Sequence, residues 1–138
     1  MNLNASRPDT VSLLVIVLTA VIGAALWPRL PSQVPIHFSA TGSPGNYVSR
    51  TIAVLAMPVV MAATGLVLKV AARIDPPKSA RAYDVVICST LLLLLAVHLF
   101  ALGSSLGYPI PFAFLPVTTA VWTVFVVGYT LRHERASP

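Results

Sequence analysis

Four apolar runs dominate this chain and leave few folds open to it. They cover about residues 10–27, 52–68, 85–102 and 110–131, and none contains Asp, Glu, Lys or Arg. A bilayer-spanning helix needs roughly 20 apolar residues, within a range of about 17–25. Each run fits that length, and only 9% of the whole chain is charged. A typical soluble domain carries roughly 25%, so a water-soluble fold would lack the polar side chains to cover its surface. Periodicity adds nothing here, because helices that are apolar all round carry no amphipathic signal. Length and absence of charge predict one four-span membrane domain over residues 1–138.

The first run also has features of a secretory signal, with Arg7 as its charged flank and Ala24 and Ala25 near a cleavage point. Trp27-Pro28 is a poor continuation of such a site, and the run reads as a retained span.

Orientation follows the Lys and Arg positions. Arg7, Lys69, Arg73, Lys78, Arg81, Arg132 and Arg135 fall on one side, while Arg29 and Arg50 fall on the other. Seven against two predicts both termini inside the cell. The segment at residues 28–51, between spans one and two, is then extracytoplasmic. Trp27, Tyr47 and Tyr108 mark the outer interface on this reading, and Tyr83 and Tyr129 the inner one. The net charge of +5 therefore suits membrane topology and anionic headgroups. Nucleic acid is excluded as a partner, since no basic stripe interleaves with aromatic residues.

Prolines shape the spans. Pro58 and Pro116 each lie six residues into a run that enters from outside. Proline inside a helix removes a hydrogen bond and kinks the axis. Two kinks at matching depth would splay the outer half of the bundle and leave a cleft under the outer loop, whereas simple tolerance within membrane helices would leave none. Asp75-Pro76-Pro77 should end the second helix, because the residue before proline avoids helical angles. Thr19/Gly23 and Ala20/Ala24 would let span one pack closely on a neighbour.

The outer segment is the least generic part of the chain. Pro31 and Pro35 stiffen an extended arm around Ser32-Gln33-Val34. Gly42-Ser43-Pro44-Gly45 reads as a turn, with glycines at expected positive backbone angles. Ile36-His37-Phe38 is held between them. A histidine so placed suits metal binding, general base chemistry, pH sensing or contact with a ligand. The four acids, Asp9, Asp75, Asp84 and Glu134, all fall on the inner side. No carboxylate is then available outside to complete a metal site or orient an imidazole base, so ligand contact or loop sealing is favoured.

His98 is the one ionisable residue deep in a run. A neutral histidine there can hydrogen-bond across helices, and Thr118, Thr119 and Thr123 are candidate partners. A second role, in a polar outer cavity, stays open. Trp122 needs a partner for its indole N–H in lipid, with Ser89 or Thr90 within expected reach. The single Cys88 excludes an intramolecular disulfide. The sequence holds no phosphate-binding glycine loop, no GxSxG, no HExxH and no paired carboxylates. An enzyme is therefore not expected, nor a metal or other cofactor.

The pattern Leu30-Pro31-x-x-Val34-Pro35-x-His37-Phe38-x-x-x-Gly42-x-Pro44 resembles the membrane domain, itself of unknown function, found at the start of SdpI-like proteins. These form the sporulation-delaying-toxin immunity family. Ile74-Asp75-Pro76, Ala82-Tyr83-Asp84, His98, Leu102-Gly103 and Gly128 look like later parts of the same pattern. The resemblance covers about residues 27–128. It implies resistance to a secreted membrane-active peptide, with Pro31, Pro35, His37, Phe38, Gly42, Pro44 and Asn46 in the recognition surface. The chain departs from the pattern at Gly45, where family members often carry an acid, and it stops at Pro138 before their further segment. The repressor sequestration known in the family is therefore not carried over.

The sequence thus predicts an all-α integral membrane protein of four transmembrane helices, with an ordered extracytoplasmic loop between helices one and two. Its expected place is the cell membrane, as a multi-pass protein contacting lipid and a secreted peptide or membrane protein, and assembly as a homo-oligomer is left open. The alternatives are a small accessory subunit of a larger membrane complex and a transporter or channel component.

Overall fold

In a computed structural model, residues 7–136 are described. The termini, assigned inside by the charge pattern, lie outside the described residues. Four helices carry the fold: α1 (Arg7–Leu26), α2 (Arg50–Ile74), α3 (Ala80–Ser105) and α4 (Phe114–Ala136). All four are long and apolar enough to cross a membrane. Between α1 and α2 the chain makes a short 3-10 turn, Trp27–Arg29, then two strands, β1 (Gln33–Phe38) and β2 (Pro44–Ser49). The expected ordered loop is thus an antiparallel hairpin. Its register pairs Gln33 with Ser49, Val34 with Val48, Pro35 with Tyr47, His37 with Gly45 and Phe38 with Pro44.

The helix ends follow local chemistry. Ser49 caps α2 by accepting from the Ile52 N–H at 3.3 Å, and Ser79 caps α3 by accepting from the Ala82 N–H at 3.2 Å. Asp75 takes an extended conformation before Pro76-Pro77 and closes α2 as expected. At the end of α3, Gly107 adopts φ +87°. The Tyr108 N–H returns to the Gly103 carbonyl and the Gly107 N–H to that of Ser104, both at 3.1 Å. This paired closure satisfies carbonyls that the helix end would otherwise orphan.

Pro116 does not act as the sequence suggests. Because α4 begins only at Phe114, Pro116 sits in its first turn, where a missing N–H costs nothing. Residues 110–113 form part of the connection from α3. Pro58, by contrast, lies inside α2.

Packing is unequal. α1 packs on α2 and α3, and α3 also packs on α2. Among the described residues, the α4 backbone approaches only that of α3, so a closed bundle does not form. One core cluster joins Leu30, Val34, Ala53, Val54 and Leu102 at the hairpin end. A second joins Met61, Ile87 and Leu91 further down. Thr19 and Gly23 are buried where α1 meets its neighbours, and a Cβ on Gly23 would stand 2.7 Å from Val54 Cγ1. That is the close approach small residues permit. Ala24, expected to share this role, is exposed. Trp122 donates its indole N–H to Ser89 Oγ at 3.3 Å, tying α4 to α3 as expected.

Lys69 of α2 pairs with Asp9 of α1 at the end away from the hairpin. Tyr83 departs from the expected interfacial belt, because its hydroxyl is buried without a hydrogen-bond partner. It packs beside the lower core cluster, where its ring rather than its polar tip is used.

Candidate functional site

The hairpin is built from its tip. The Ser39 N–H donates to the Ser43 carbonyl and the Gly42 N–H to the Ser39 carbonyl, both at 2.9 Å. The Ser43 N–H also donates to Ser39 Oγ at 3.1 Å. Gly42 takes φ +83°, which L side chains rarely adopt. A Cβ there would stand 2.9 Å from Cβ and Cγ of Phe112, so the tip rests directly on the connection before α4. Gly45, the other glycine expected at a positive angle, lies in β2 opposite His37; Asn46 has the positive angle instead, φ +49°. Asparagine tolerates this region better than most residues. The pairing lapses at this point, between Ile36 and Asn46.

Aromatic contacts fix the hairpin from below. The Phe38 ring meets Phe100 of α3 edge-on, with centroids 5.3 Å apart, and leans on Phe112 at 6.4 Å. Phe100 stacks with Phe114 of α4 at 6.1 Å. At the hairpin base, the Arg50 guanidinium lies 4.1 Å above the Trp27 ring and donates to the Leu30 carbonyl at 3.3 Å. Trp27 donates to Thr51 Oγ1 at 3.1 Å. These contacts hold the base by a cation over an aromatic face plus two hydrogen bonds.

The predicted residues divide accordingly. Phe38 and Gly42 are anchors whose contacts lie within the protein. Pro31, His37, Pro44 and Asn46 are exposed, and Pro35 is half-buried. Pro35, His37 and Phe38 help line a cavity of about 410 Å³ beneath the hairpin. Phe38, Gly42 and Pro44 border a smaller hollow of about 290 Å³ with Tyr108 and Phe112. Pro31 and Asn46 border neither.

The larger cavity lies between β1, α2 and α3 and reaches Leu115 of α4. It lies under the outer segment, where the kink reading, one of the two that the prolines leave open, places a cleft. Only α2 carries an internal proline there, and the failure of α2 and α4 to meet supplies the remaining room. Its polar wall residues are His37 and His98.

His98 is 2% exposed, and its Nε2 is buried without a hydrogen-bond partner. The expected threonine partners are turned elsewhere. Thr119 and Thr123 donate to carbonyls of their own helix at 2.8 Å, and Thr118 does so to Leu115 at 3.1 Å. A threonine hydroxyl in a membrane helix satisfies itself one turn back when no better acceptor faces it. Nε2 instead lies toward α1, where a Cβ on Gly23 would stand 3.4 Å away.

Among the described residues, no three His, Cys, Asp or Glu side chains converge as metal ligands. Sequence reasoning missed Phe100, Phe112 and Phe114 as supports of the site. Their signal was slight: Phe112 is a large aromatic residue in a Pro-rich connection, where a free loop would be polar. The Trp27–Arg50 contact was also missed, although both residues flank the same segment.

A family described as a domain of unknown function, DUF1648, matches residues 14–62. The matched stretch runs from α1 through the whole hairpin into α2. No curated protein and no solved structure matches the chain.

Proposed function

We propose that this chain is a non-enzymatic, SdpI-like membrane protein that recognises a secreted membrane-active peptide through the hairpin and confers immunity to it. In this reading the hairpin faces outward, which the excess of Lys and Arg at the opposite end supports. One observation carries the proposal: the hairpin is pinned at tip, middle and base, yet presents Pro31, His37, Asn46 and Tyr47 to its surroundings. A surface ordered before binding loses less entropy when a partner docks. The match over residues 14–62 contains this surface whole, which is consistent with the likeness read from its motif.

The mechanism is capture at the outer leaflet. His37 supplies a hydrogen-bonding ring in β1, and Asn46 adds an amide on the neighbouring strand β2. The test is survival of a sensitive host challenged with the sporulation-delaying toxin peptide. Cells making this chain should survive at least tenfold better than cells without it. The His37→Ala/Asn46→Ala double variant should lose that advantage at equal membrane abundance. Full protection by the double variant, or none by the native chain, would rule the reading out.

A further inference from the structure

The cavity beneath the hairpin meets the exposed hairpin surface at His37 and otherwise lies below it, walled by α2 and α3. Its α2 wall runs from Ala53 to Val60 and its α3 wall from Val97 to Leu102, both within membrane-spanning helices. It is not enclosed, since two wall residues, Ile36 and Val60, are 56% and 47% exposed. Among the described residues α2 and α4 do not pack on each other, and the cavity lies between them over α3.

The polarity of the walls selects the occupant. His98 turns its unpartnered Nε2 toward Gly23 of α1, behind the wall, and the atom is buried. His37 stands in β1, at the top of the cavity. β1 pairs with β2 along one edge only, the pairing lapses at Ile36, and Pro35 has no N–H to offer. A polar solute or an extended peptide would bring donors and acceptors that the α2 wall (Ala53, Ala56, Met57, Val60) and the α3 wall, with His98 turned away, cannot meet, a heavy cost away from water. A hydrocarbon chain brings none. The volume of about 410 Å³ falls in the usual range of small-ligand sites, roughly 300–1,000 Å³.

We propose that this cavity holds one hydrocarbon chain of a bilayer lipid, admitted sideways between α2 and α4. The chain packs against Ala56, Met57, Ala101 and Leu115, and lies beneath Phe38 at the foot of the hairpin. The lipid is a resident that completes the apolar support of β1, whatever the hairpin itself recognises.

The full chain in maltoside micelles, photolabelled with a phosphatidylcholine carrying a mid-chain diazirine, tests this. Adducts at Met57, Ala101 and Leu115 should saturate near one per chain and fall at least fivefold with excess unlabelled phosphatidylcholine. Adducts at Leu18, on an exposed face of α1, should not saturate. Ala56→Phe and Ala101→Phe should each suppress the cavity adducts alone. Ala56 is exposed, so its variant tests the cavity even if Ala101→Phe fails to fold. Non-saturating cavity adducts would overturn the proposal. So would adducts that persist in Ala56→Phe, or labelling by a diazirine-bearing apolar helical peptide but not by the lipid.

Discussion

The two ends of this molecule are built on different principles. At the hairpin end, shape does the work: Gly42 lies on Phe112, Gly103 lies under Ile110, and four phenylalanines link a strand, a connection and two helices. At the opposite end, Ile74 to Lys78 are all exposed and charge predominates, with Lys69 and Asp9 as an ion pair. Packing against backbone and rings is short-ranged and specific, whereas exposed charge is screened and forgiving. A chain arranged this way can hold one surface rigid while its other end tolerates change.

Substitutions can break that contrast. The largest effect is expected at Gly42→Val, which combines a forbidden backbone angle with a clash into Phe112. It should destabilise the protein by roughly 2–4 kcal/mol, read from thermal unfolding in detergent by circular dichroism. Gly23→Ala comes next, since its methyl would press on Val54; a cost of about 1–3 kcal/mol is expected. Val54→Ala in the same chain should recover part of that loss, and strict additivity of the two would show that they do not meet. Trp122→Phe removes the hydrogen bond to Ser89 and should cost about 0.6–1 kcal/mol. The smallest effect is expected at Lys69→Ala, because the pair is substantially exposed; about 0.5 kcal/mol or less should be lost, fading further in high salt. If Lys69→Ala proved as damaging as Gly42→Val, the contrast between the ends would collapse.

How much was legible in the chain varies by residue. The four spans, the stop at Asp75-Pro76 and the Trp122–Ser89 bond follow from local rules: length of apolar run, proline geometry and the need to satisfy an indole in lipid. His98 is legible as the odd residue of its span, but the α4 threonines expected to partner it bond within their own helix and its Nε2 lies toward α1 instead. Helices that are apolar all round do not declare which face meets which partner, so α4 and α1 were equally plausible. Pro116 was misread for a related reason. A one-turn error in where a helix begins converts a kink into a harmless first-turn proline.

The site divides the same way. Its stiff prolines and its lack of acids could be read from residues 30–50 alone, whereas the turn, read at Gly42-Ser43-Pro44-Gly45, falls at residues 39–43 with Pro44 and Gly45 already paired in β2. That the segment is a hairpin, that Asn46 rather than Gly45 takes the positive angle, and that Phe38 points inward could not.

By itself, then, the sequence determined a membrane-spanning chain, because run length and missing charge act residue by residue against the bilayer. Only the tertiary structure decided that, among the described residues, α4 leans on α3 alone, that the hairpin rests on Phe112, and that a cavity remains beneath it. Those features depend on which surfaces meet at van der Waals distance, and no local pattern in an evenly apolar chain encodes that choice.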